Sequence, residues 1–135
     1  MFDYLVSLQF ARISGVECVA KKNMERGEVD VLADFTGATK RIHRLTGNLV
    51  PIENKWESNA TKQREIHIHH RKAELAELQS SCLVSCFVSM GGFTSDAKRE
   101  LQNCQNPNMI GFDRDDFEEF LNSNNPREHF RNKII

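Results

Sequence analysis

No apolar run in this chain of 135 residues approaches the ~20 residues that a membrane helix needs, so no membrane partner is expected. No secretory leader opens the sequence. Cysteine is sparse: Cys18, Cys82, Cys86 and Cys104, with no C-x-x-C pair. Cys82 and Cys86 lie in an apolar run, so the cysteines read as reduced core thiols of a cytoplasmic protein rather than as a disulfide framework. Tryptophan occurs once, at Trp56. Internal repeats and low-complexity tracts are missing. Neither sign of charge dominates, and the net charge of −1 names no partner by itself.

What is present is enough chain for one domain and a real core, burying very roughly two-thirds of the unfolded surface. The charge is unevenly spread. Residues 38–72 hold eight Lys or Arg against three Glu, together with four of the five His, whereas the other 100 residues hold ten Lys or Arg against sixteen Asp or Glu. A basic middle on an acidic body is an electrostatic footprint for a polyanion, with a solvated basic helix face as the plainer reading.

Along the chain, apolar residues at 2, 5, 6, 10 and 13 have helical spacing, and Gly15 ends that helix. Val16 to Ala20 reads as a strand, Lys21 to Gly27 as a charged loop, and Val29 to Phe35 as a second strand. Thr36 to Gly47 is a basic connection, either a hairpin loop or a short helical turn. Leu49 to Trp56 is a third strand, with Pro51 suggesting that it starts at an edge or a bulge. Ser58 or Asn59 would cap a long helix over Thr61 to Gln79. Cys82 to Met90 reads as a buried central strand. Thr94 caps a helix to about Cys104, Asn106-Pro107-Asn108 turns, and Met109 to Phe112 is a last strand. Asp113 caps a final helix that sends Phe117, Phe120 and Leu121 inward, with Phe112 and Phe117 in staple positions. The fold class expected is α/β, a central mixed sheet flanked by helices in the order αβββαβαβα, over residues 1–123. Residues 124–135 form a polar C-terminal tail, either a short extra helix or disordered.

The chemistry gathers between Glu28 and Trp56. A strand sends alternate side chains to opposite faces. Glu53 and Lys55 therefore share one face, and Ile52, Asn54 and Trp56 share the other, which places Trp56 in the core. If the second and third strands pair, Asp30 joins Glu53 and Lys55. Two carboxylates and an ammonium on an otherwise apolar sheet are costly for folding and useful for Mg²⁺ chemistry on phosphates. Asp30 and Glu53 supply oxygen ligands, the Asn54 carbonyl could complete the shell, and Lys55 could hold a water or neutralise developing charge. Among the histidines, His67 and His70 lie one turn apart with His69 to the side. No further ligand stands out for zinc, so a solvated helix face is expected.

Gly27-Glu28-Val29-Asp30-Val31 followed by Ile52-Glu53-Asn54-Lys55 resembles the PD-(D/E)XK nuclease superfamily, most closely its Mrr-like catalytic domains. The stretch Phe87-Val88-Ser89-Met90-Gly91-Gly92-Phe93-Thr94 and the segment from Ile110 to Leu121 extend the resemblance over about residues 2–123. E-x-K alone occurs by chance; its weight comes from its place on a strand, after a G-x-x-D strand and before a long helix. The resemblance implies a restriction-endonuclease-like fold, metal binding by Asp30 and Glu53, and a catalytic Lys55. Mrr-type sequences often carry Gln where Glu53 stands. The family's helix-1 acid would be Asp3 or, less fittingly, Glu17.

The function expected is a metal-dependent endonuclease hydrolysing DNA phosphodiester bonds, using Mg²⁺ with Mn²⁺ able to substitute. Lys40, Arg41 and Arg44, and Lys62, Gln63 and Arg64 at the start of the long helix, would contact DNA. Alternatives are a junction-resolving nuclease of the same fold acting as a homodimer, and a nucleic-acid-binding domain without turnover. A catalytic domain belonging with other domains of a larger protein is also compatible.

Overall fold

A computed structural model describes the backbone of residues 2–24 and 27–135, and side chains within them except at 21–28. The first helix, α1 (Phe2–Ala11), leads into a hairpin of β1 (Glu17–Met24) and β2 (Gly27–Asp34). A short helix, α2 (Lys40–Thr46), connects to β3 (Leu49–Lys55), and the long helix α3 (Gln63–Glu77) to β4 (Val84–Ser89). Then come α4 (Ser95–Asn103), β5 (Asn108–Phe112), α5 (Arg114–Leu121) and α6 (Pro126–Ile134). The five strands form one mixed sheet in the order β1-β2-β3-β4-β5. The first three are antiparallel neighbours, and β3, β4 and β5 run parallel.

Helices cover both faces. On one, Val6 and Phe10 of α1 and Ile13 just after it meet Phe117, Phe120 and Phe130 of α5 and α6 over Val31, Ala33, Val50, Ile52, Cys86 and Val88. On the other, Ile66 of α3 and Ala97 of α4 pack on Phe87, with Cys104 and Met109. Both faces being covered explains why all six residues of β4 are buried and why its sequence is a continuous apolar run. Burial raises the thiol pKa of every cysteine, most at fully buried Cys86, so none is poised as a thiolate.

Several sequence expectations shift. The charged stretch after Ala20 continues β1 to Met24 and is not a loop; β2 already begins at Gly27, and residues 25–26 of the expected loop lie outside those described. Pro51 is on neither an edge nor a bulge but on the central strand, opposite Leu32. The Asn54 N–H and the Asn48 carbonyl both point toward β2, so the alternation turns the Pro51 nitrogen toward β4. The β3–β4 register begins only at Ile52, one residue past the proline, which has no N–H to give to that ladder. The long helix starts later than expected, capped at Lys62 and not at Ser58 or Asn59. The stretch after residue 123 is the helical alternative: α6 buries Phe130 against Phe10 (ring centroids 5.3 Å apart) and Phe35 (5.7 Å), in the same core as residues 2–121. Trp56 faces away from the acids but is not core. It falls just past the end of β3, 61% exposed, with Phe2 against its ring at 4.8 Å. The cap expectations at Thr94 and Asp113 hold: Thr94 accepts the Ala97 N–H, and Asp113 and Asp116 each accept the other's backbone N–H.

Candidate active site

The site forms where β2 and β3 part. Their ladder ends at Val31 opposite Ile52, and one step further along the same register Asp30 stands opposite Glu53. Beyond it the Asn54 N–H has no β2 carbonyl to meet. The Asp30 carboxylate takes that place, accepting the N–H at 2.9 Å. The splayed strands are thus bridged by an acid side chain, and the two carboxyls hydrogen-bond each other.

Burial is the main reason that Asp30 is pushed up to about 7; the hydrogen bond to Glu53 adds to it, and the Asn54 N–H opposes it. Glu53 goes the other way. Burial alone would raise it, but His69, Asp30 and Lys72 together hold it down to about 2. The two carboxyls therefore titrate as a pair, which takes up its first proton as the pH falls through about 7.

Asp3, on the first turn of α1, joins from the opposite face of the sheet, where it accepts a hydrogen bond from the Asn54 amide at 3.0 Å and its charge helps raise Asp30. Glu17 pairs with Asp34, at the other end of β2, and takes no part. Lys55 projects on the Glu53 side but is engaged: its ammonium lies 2.8 and 3.1 Å from the two oxygens of Glu65 and 4.0 Å from Glu57. Glu53, Asn54, Lys55, Glu65, His69 and Lys72 line one open cleft of about 260 Å³.

The start of α3 is fixed over this cleft by a backbone crossing. Asn59 and Ser58 pass so close to Gly91 that a Cβ there would lie 2.2 Å from the Asn59 carbonyl oxygen, which only glycine tolerates. Thr61 is buried behind the crossing, donating to Ser89 at 2.7 Å, while its N–H meets the Gly92 carbonyl. Lys62, Gln63 and Arg64 follow, all exposed. Lys40, Arg41 and Arg44 are not with them. Their helix, α2, connects the end of β2 to the beginning of β3, so it lies at the opposite end of the sheet from Asp30 and Lys55. There Arg41 lines a separate groove of about 330 Å³ with Arg127 and Arg131 of α6.

The histidine expectation needs correction. His67 is exposed, but His69 is 1% exposed, edge-on to Phe87 at 5.8 Å, with Nδ1 3.6 Å from Glu53 Oε2. His70 is half-buried, 3.0 Å from the Pro107 carbonyl. The burial of His69 was readable in the helical spacing. Ile66, His69, Ala73 and Ala76 are the buried residues of α3, spaced three, four and three apart. Lys72, which reaches the same Glu53 oxygen at 3.7 Å, carries no comparable signal in the sequence.

Whether the residues suit a divalent cation depends on their donors. Among the described residues no three His, Cys, Asp or Glu side chains group as a metal cluster. Two opposed carboxylates remain, one held ionised and one with a raised pKa. That oxygen set fits an ion such as Mg²⁺, which keeps several waters and needs one or two protein carboxylates. No helix is long and apolar enough to cross a membrane among the described residues. No protein-family model, curated protein or solved structure matches the chain.

Proposed function

We propose that this protein is a Mg²⁺-dependent endonuclease hydrolysing DNA phosphodiester bonds, with the restriction-endonuclease-like arrangement that its E-x-K strand resembles. The observation that carries the reading is the Asp30–Glu53 pair, two hydrogen-bonded carboxyls facing each other where β2 and β3 diverge, with Asp30 pushed up to about 7. An arrangement that disfavours its own full ionisation is a poor structural brace and a good cation site. Asp30 and Glu53 would hold the ion, which when bound supplies a polarised water and neutralises phosphate charge. Lys55, on the same strand face and in the same cleft as Glu53, would meet the charge that develops at phosphorus, and the exposed Lys62 and Arg64 would meet the flanking backbone.

The test is nicking of supercoiled plasmid with Mg²⁺, Mn²⁺ or EDTA, wild type beside Lys55→Ala. Metal-dependent nicking lost in the variant is the expected result. Wild type that cuts neither plasmid nor four-way junctions in either metal would overturn it.

One observation favours a second reading, a nucleic-acid-binding domain without turnover: Lys55 is tied to Glu65 rather than standing free over the acids. That reading predicts DNA binding that is indifferent to Mg²⁺ and to Lys55→Ala.

A further inference from the structure

We propose that His69 is a positioning residue: from a core position on α3 it holds the Glu53 carboxylate in the orientation in which Glu53 and Asp30 receive a divalent cation. The inference rests on the nuclease reading of the cleft. His69 occupies a place where an apolar side chain would be expected, in register with Ile66, Ala73 and Ala76 and against Phe87. It is 1% exposed, yet neither ring nitrogen has a hydrogen-bond partner. The polar atom facing it is Glu53 Oε2, 3.6 Å from Nδ1. Lys72, three residues on, comes to the same oxygen at 3.7 Å. Two groups from one helix thus converge on one oxygen of Glu53, while the carboxyl also hydrogen-bonds Asp30.

A buried imidazole whose nitrogens make no hydrogen bond costs stability, so the packing alone would be better served by leucine. A polar group kept at such a cost, beside a carboxylate assigned to a metal, is what an outer ligand-orienting contact requires. The two roles predict opposite things. As mere core, His69→Leu would leave metal binding untouched. As the brace for Glu53, His69→Leu would hold or gain stability while losing affinity for the ion.

The experiment is calorimetric Mn²⁺ titration at fixed pH, with a thermal melt of each protein, on wild type, His69→Leu, His69→Asn and Asp30→Asn. His69→Leu is expected to melt at or above the wild-type temperature and to bind Mn²⁺ about 10- to 100-fold more weakly. His69→Asn, which keeps a donor near the Nδ1 position, should recover most of that loss. His69→Met fills similar space and replaces the leucine variant should that one fail to fold. Wild-type affinity in the apolar variant, or no recovery with asparagine, overturns the positioning role while leaving the nuclease reading intact. Wild type that binds no Mn²⁺, or Asp30→Asn that binds as wild type does, overturns the cation site and the inference with it.

Discussion

Lys55, the last residue of β3, places its ammonium against both carboxylate oxygens of Glu65, on the first turn of α3. Glu65 in turn accepts the Lys62 N–H at 2.9 Å. Partial burial would raise the Glu65 pKa, but these contacts hold it below the ordinary value. One carboxylate therefore caps the helix and tethers the strand's lysine.

That tether makes a prediction about which acids the reaction needs. Asp30→Ala, Glu53→Ala and Lys55→Ala should each lower the initial rate of plasmid nicking by about 10²-fold or more, the scale of losing one preorganised charge. Glu65→Gln frees Lys55 without touching the carboxylate pair, and should nick at the wild-type rate or faster. Undiminished cleavage in all three alanine variants would remove the site assignment.

The Asp30 carboxyl should leave a signature in stability against pH. Its folded pKa of about 7 lies above the ordinary 3.8, so the folded chain holds that proton more tightly and loses stability as pH rises between those values. Glu53, lowered to about 2 from 4.5, works in the opposite sense and only below about pH 4.5. Between pH 5 and 7 the Asp30 effect stands alone within the pair, and since the carboxyl is half-buried and screened by solvent it is worth at most about 2 kcal/mol. Asp30→Asn keeps an oxygen for the Asn54 N–H and cannot ionise. Urea denaturation at both pH values should show wild type losing that stability relative to the variant, and parallel profiles would contradict the raised pKa.

The basic residues divide into two sets at opposite ends of the sheet, and DNA binding should divide with them. Replacing Lys62 and Arg64 by alanine should weaken binding and lower the salt slope by about one unit for each phosphate no longer neutralised. Replacing Lys40, Arg41 and Arg44 removes charges around a different groove, so the effect at the cleft should be smaller. Fluorescence anisotropy with a labelled duplex across a salt series measures both.

Phe130 tests where the domain ends. Its ring is fully buried among Phe10, Phe35, Phe112 and Phe120. Phe130→Ala should cost about 3–5 kcal/mol in chemical denaturation, as other phenylalanine truncations in cores do. A change below ~1 kcal/mol would mean that α6 is an appendage.

The parts of this fold that were legible in the sequence are those in which a local rule and the tertiary setting agree. The apolar run at β4 is buried on both faces, Thr94 and Asp113 cap as their side chains allow, and period-two alternation places Asp30 with Glu53 and Asn54 opposite to them. The misreadings come from contacts made at a distance. Trp56 follows the alternation but outruns the sheet, so it stays exposed. Pro51 sits in a central strand at the one place where the ladder to β4 is only about to begin. His69 resembles a surface histidine until α3 docks, and Phe130 sits in a polar stretch whose single phenylalanine is claimed by an aromatic cluster drawn from α1, β5, α5 and the residue that follows β2.

The sheet's spatial order is also its chain order. No strand has to be inserted between two that precede it, so each one can be added to an edge already formed as the polypeptide is synthesised. Asp30 and Glu53 lie on the second and third strands, so their junction can be assembled before β4 and β5 are made. The Phe130 cluster, which draws on α6, closes only after all five strands have been produced.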